Sequence, residues 1–133
     1  MKKIKKGFTL LELLVVISII GILVALGAVA FTTAQQKGRD ARRRGDMKAI
    51  QNAFEQYYSE NNAYIANCDT MAADSMPGGL PVDPKPTESY TQSCSDTDSY
   101  CMCAELENET GNADESDCSS WTPGVYFCVS NLQ

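Results

Sequence analysis

Residues 2–31 read KKIKKGFTLLELLVVISIIGILVALGAVAF. Four lysines, Lys2, Lys3, Lys5 and Lys6, come first; then Gly7 and Phe8; then an apolar run that one carboxylate, Glu12, interrupts near its start. Residues 13–31 contain no charge at all. As a helix they span about 28 Å, close to the thickness of a bilayer's hydrocarbon core. Ser18 can bond back to its own helix, and Gly21 and Gly27 are tolerated in such a segment. A carboxylate in an apolar run is costly, about 2.5–3.5 kcal/mol at a helix centre, and usually functional.

Beyond residue 31 the helical pattern resumes in another form. Met47, Ile50, Phe54 and Tyr57 recur at steps of three, four and three, the mark of an amphipathic helix with one apolar stripe. No proline occurs before Pro77. The simplest reading is one long helix over 8–61, apolar over 8–31 and amphipathic over 32–61, ending at Asn61 and Asn62. Residues 62–87, punctuated by Pro77, Gly78, Gly79, Pro81, Pro84 and Pro86, read as irregular.

Period-two alternation then predicts strands. Tyr100, Met102, Ala104 and Leu106 share one face of 99–107; Val125, Phe127 and Val129 share one face of 124–130. Residues 88–94 form a weaker third strand, and the polar connection 108–123 reads as a surface loop. The expected fold is α+β: a long N-terminal helix packed by its second half on a small antiparallel sheet, with residues 62–133 as the globular head.

Charge is unevenly placed along the chain. Six basic residues lie between Lys37 and Lys48; after them the only base is Lys85, against 13 acidic residues from Glu60 onward. So acidic a head repels phosphate and makes a nucleic-acid partner unlikely there. The basic neck is expected to meet acidic heads of neighbouring copies, the alternative being a solvated helix face. Enzyme classes find no support: there is no histidine, no Gly-rich phosphate loop and no nucleophile motif.

All six cysteines, Cys68, Cys94, Cys101, Cys103, Cys118 and Cys128, follow residue 60. An even number confined to a small acidic region points to disulfides formed in an oxidising compartment. Zinc would need four thiolates at paired spacing; Cys101 and Cys103 make one close pair and no second exists. The alternation places Cys101, Cys103 and Cys128 opposite the apolar faces of their strands, so Cys128 can reach Cys101 or Cys103 if the strands are neighbours. The remaining pairings stay open. No organic cofactor is expected. Asp114, Glu115 and Asp117 offer hard oxygens of the kind calcium takes, but without EF-hand spacing.

The segment KKIKKGFTLLELL at 2–14 resembles the type IV pilin family, including the pseudopilins of type II secretion and of competence systems. RDARRRGDMKAIQNAFEQYYSENNAY at 39–64 resembles the second half of the pilin helix, and LPVDP at 80–84 the loop leading into pseudopilin-type sheets. The resemblance implies a leader, residues 1–7, removed by prepilin peptidase after Gly7, and a mature chain beginning at N-methylated Phe8. It assigns Glu12 to docking in a homo-oligomeric helical filament. It implies a single-pass membrane subunit with a cytoplasmic N-terminus, later part of an extracellular pilus raised by the assembly machinery. Major pseudopilin heads bind calcium, which makes Asp114 and Asp117 candidate metal ligands here. The alternatives within the family are a type II secretion or competence pseudopilin and a minor tip pilin. An ordinary secretory signal, with Ala28-Val29-Ala30 as its cleavage site, leaves Glu12 and the renewed helical pattern without a role.

Overall fold

The computed structural model describes residues 7–133. Its elements are α1 (Leu10–Asn61), α2 (Cys68–Ser75), β1 (Thr91–Ser93), β2 (Cys101–Glu105) and β3 (Tyr126–Ser130). The chain divides into two units, Met1–Gln35 and Gln36–Gln133, each described here by itself.

In the first unit α1 begins at Leu10 and continues through Gly21 and Gly27 without a break. Its polar side chains are satisfied locally. The Ser18 hydroxyl donates to Leu14 O at 2.7 Å, and those of Thr32 and Thr33 donate to the carbonyls of Ala28 and Val29. No large apolar side chain from Phe8 to Phe31 is less than 47% exposed. A helix so apolar on every side, with nothing of its own chain to cover it, requires lipid or other helices around it.

In the second unit α1 buries one stripe: Asp40, Arg43, Met47, Ile50 and Phe54, spaced three, four, three and four, with Gln51 beside it. The helix stops where Asn62 takes a left-handed backbone, φ 55°, and its N–H closes on Tyr58 O at 2.7 Å. The apolar half of the stripe meets Tyr64, Met71, Ala72, Tyr100, Met102, Ala104 and Val129 in the core. Edge-on aromatic contacts join Phe54 to Tyr100 and Tyr64 to Tyr100, with ring centres 5.1 and 5.0 Å apart. Glu55 Oε1 accepts from both phenols and from Leu132 N, tying down the C-terminal end.

The sheet is antiparallel in the order β1-β2-β3. The face expected to be apolar in β2 is buried at Tyr100, Met102, Ala104 and Leu106. Three expectations need correction. Residues 62–87 are not wholly irregular. Asn67 caps α2 by accepting from Thr70 N at 2.9 Å, and Cys68, Met71 and Ala72 turn its inner side to the core. Val125 lies before β3 and is 52% exposed, its carbonyl serving as acceptor for Leu106 N. Residues 108–123 are more than a surface loop, because they cover the second face of the sheet. Ala113 pairs with Tyr126 and packs, fully buried, against Cys101, Cys103 and Cys128. Asn112 lies alongside β3, donating to Cys128 O and accepting from Cys128 N. Gly111 is obligatory here: a Cβ would stand 1.7 Å from Tyr126 O.

The basic neck also departs from expectation: three of its arginines bind this chain's own head. Arg43 is 1% exposed. Its Nε and Nη2 meet the two oxygens of Asp83 at 2.7 and 2.9 Å, and its Nη1 donates to Asp40 and Glu107 at 3.1 and 3.0 Å. Arg39 grips Glu107 with two bonds of 2.7 Å, and Arg44 reaches Thr110 O and Glu109. Asp40 accepts in turn from the backbone N–H groups of Glu107 and Asn108, both at 2.8 Å. The proline-flanked Asp83 thus holds its loop against the helix.

Within this cluster the Arg39 guanidinium holds Glu107 down at about 2. Burial alone would raise the Asp83 carboxyl, but hydrogen bonds from Arg43 and Lys85 N outweigh it and the net shift is downward. Depressed carboxylate values stabilise the fold above the ordinary range and lose that contribution as pH falls toward the folded value. Arg43→Met should strand Asp40 and Asp83 and cost about 3–5 kcal/mol at neutral pH. It should also shrink the loss of stability on going to about pH 3, since Asp83 would lose the hydrogen bonds from Arg43 that hold its carboxyl down. Denaturant midpoints of both proteins at the two pH values test this; equal midpoints at neutral pH would contradict it.

Candidate functional site

The N-terminal segment carries its chemistry in six residues, Gly7 to Glu12. Gly7, Phe8 and Thr9 precede the helix, and Phe8 is 84% exposed. A Cβ built on Gly7 meets nothing within 4 Å, so no contact within the structure demands glycine there.

Helix α1 opens with a reciprocal cap. Glu12 N donates to Thr9 Oγ1 at 3.2 Å, while Glu12 Oε2 accepts from Thr9 N at 2.8 Å and from Thr9 Oγ1 at 2.7 Å. Leu13 N closes the first turn on Thr9 O. This is the Thr-x-x-Glu capping box, which satisfies otherwise orphaned donors and sets the helix start at Leu10. The box fixes where extended chain gives way to helix, two residues beyond the Gly7–Phe8 bond. Thr9 was legible from its position three before Glu12 and ahead of an apolar run, but the sequence reading passed over it. The four lysines of the expected leader lie outside the described residues.

Gly7, Phe8 and Glu12 are brought together at this helix start; the other sequence candidates lie elsewhere, in the second unit. The six cysteines there form Cys68–Cys94, Cys101–Cys118 and Cys103–Cys128. Cys103 and Cys128 are directly opposed across β2 and β3. Asp114 and Asp117 are exposed on the loop and bound locally, Asp114 to the Thr122 hydroxyl and Asp117 to Ser119 N.

Among known proteins, a family model matches this segment. Residues 2–28 match the model of the prokaryotic N-terminal methylation motif. Through that motif the chain is similar to the type IV pilin and pseudopilin family. Over 59 residues it is 36% identical to the type IV major pilin protein PilA of Myxococcus xanthus, covering 44% of this chain and 27% of that one. Over 63 residues it is 38% identical to the type II secretion system core protein G of Aeromonas hydrophila, covering 47% of this chain and 44% of that one. The corresponding protein of Pseudomonas aeruginosa is 38% identical over 60 residues, 45% of this chain and 42% of that one. The aligned stretch is thus less than half the length of each of these relatives. Pilins and pseudopilins are structural subunits, not enzymes, and an apolar N-terminal helix of this kind anchors them to a membrane.

The capping box yields a substitution test. Gln at position 12 keeps the cap, because an amide oxygen also accepts from Thr9 N, whereas Val removes it. Helicity of a peptide spanning 7–31 in detergent micelles should fray at its first turn in Glu12→Val and not in Glu12→Gln. Amide hydrogen exchange at Thr9, whose N–H loses its acceptor only in Glu12→Val, reads the difference, and identical protection in the two variants would count against the box.

Proposed function

We propose that this chain is a precursor cut between Gly7 and Phe8, N-methylated at Phe8, and assembled through its first helix into a type IV pilus-like filament. Residues 1–7 are the leader, 8–61 the helix and 62–133 the disulfide-linked head. The observation that carries the reading is the exposed apolar segment from Phe8 to Phe31, helical from Leu10 on, with the single carboxylate Glu12 near its start. Gly7 is the residue the peptidase reads before the cut. The leader lysines keep the N-terminus cytoplasmic, and the head, with three disulfides, folds beyond the membrane. Cleavage removes four lysines, taking the formal charge from -6 to -10.

Before assembly lipid covers the apolar helix; afterwards other copies do. In that surrounding a neighbour's Phe8 amine approaches Glu12, where opposite charges attract more strongly than in water. The pairing relieves the penalty on an isolated buried carboxylate. Similarity to two type II secretion core proteins favours, as a second reading, a pseudopilin working as a secretion piston. The helix chemistry is common to both readings.

Mass spectrometry of the mature chain should find methylated Phe8 first; a chain starting at Phe31 would make this a secreted protein instead. Glu12→Gln and Glu12→Val should both leave a processed, membrane-held subunit and both lose sheared filaments. Filaments from Glu12→Gln at normal yield would show that the cap, not the charge, is what position 12 supplies.

A further inference from the structure

The second face of the sheet gathers two disulfides that almost touch. Cys101 and Cys103 stand two apart on β2, hence on the same face, and their Sγ atoms are 3.6 Å apart although they are not bonded to each other. Cys103 Sγ is likewise 3.9 Å from Cys118 Sγ. The sulfurs of Cys101, Cys103 and Cys118 all lie within 4.8 Å of one another. Cys128 joins them through its bond to Cys103, with the two Cα atoms 4.1 Å apart. In a tetrahedral tetrathiolate zinc centre the metal–sulfur distance is about 2.3 Å, which sets neighbouring sulfurs about 3.8 Å apart. The non-bonded separations here are already of that size. The close second pair that the sequence lacks is supplied by folding, which brings Cys118 and Cys128 over Cys101 and Cys103.

We propose that, once both disulfides are reduced, Cys101, Cys103, Cys118 and Cys128 form a site for a soft divalent cation, zinc above all. The step balances with a dithiol as reductant. Each protein disulfide accepts two electrons and two protons, giving two thiols, while each reducing dithiol becomes a disulfide. Zinc then binds the four sulfurs as thiolates, releasing their four protons. The framework needed to hold the sulfurs survives the change. β2 and β3 remain paired through their backbone ladder, Ala113 of the loop stays paired with Tyr126, and Asn112 still brackets Cys128. Cys118, on the loop and only partly buried, has the freedom to swing clear of Cys101 and admit the ion. The third disulfide, Cys68–Cys94, lies on the other side of the sheet with the core residues and takes no part. A head of this kind has two closed states, disulfide-linked where the surroundings oxidise and zinc-linked where they reduce.

The test uses the full chain in detergent micelles, reduced with a phosphine, desalted without oxygen and titrated with cobalt(II) and then zinc. One cobalt per chain should bind, with thiolate charge-transfer and tetrahedral d–d absorption that zinc abolishes, while the oxidised protein shows neither. The aromatic circular dichroism of the head, weakened by reduction, should return with the metal. Cys103→Ser should lose the tetrahedral signature; Cys68→Ser with Cys94→Ser should keep it. Absence of the bands in the reduced protein, their persistence in Cys103→Ser, or metal uptake without return of the aromatic signal would each overturn the proposal.

Discussion

A guanidinium removed from water needs hydrogen-bond partners for its nitrogens, and Arg43 finds one or more for each of the three, in three places at once. Asp40 lies one turn away on the same helix, Asp83 on the proline-rich loop, and Glu107 just past the end of β2. Apolar contacts between a helix and a sheet are non-directional and tolerate sliding. The forked bonds to Asp83 and the paired N–H groups on Asp40 do not tolerate it, because each has a narrow range of distance and angle. The apolar stripe supplies attraction between helix and sheet, while the Arg43 cluster fixes where along the helix the sheet sits. Its acidic members outnumber Arg39 and Arg43 by one, and the backbone N–H groups on Asp40 and Asp83 help to balance that excess.

The apolar half of α1 is arranged on the opposite plan. There the helix spends its polar groups on itself, with Ser18, Thr32 and Thr33 bonded to preceding carbonyls and Glu12 bonded to Thr9. What remains outward is hydrocarbon in every direction. Such a surface carries little information about which neighbour should cover it, and lipid tails and other helices serve nearly alike. Its one ionisable side chain, Glu12, stands near its start, bonded to Thr9.

Much of this was legible in the sequence because it depends on period. Nineteen uncharged residues, the three-four spacing of Met47, Ile50 and Phe54, and the alternation through Tyr100, Met102 and Ala104 each fix a local geometry that tertiary packing had no reason to override. Where period failed, contacts had replaced it. Arg43 and Asp40 continue the stripe, yet a charge at such a position reads as its end, and only the three-dimensional nearness of Asp83 and Glu107 makes their burial tolerable. Helix α2 is eight residues long, too short for its period to stand out beside the prolines that follow. The loop 108–123 is polar in composition, and its burial at Ala113 follows from Cys118 being bound to Cys101. The charged neck reads as needing partners from other copies because its own partners lie 40 to 68 positions further along the chain.

A three-stranded open sheet ends in unpaired peptide groups, which are an invitation to a fourth strand from any similar chain nearby. By placing its carboxamide against the peptide of Cys128, Asn112 occupies that outer hydrogen-bonding position of β3 with a group that cannot itself be extended. A strand seeking to add at that position would have to displace both of the Asn112 bonds to Cys128 first.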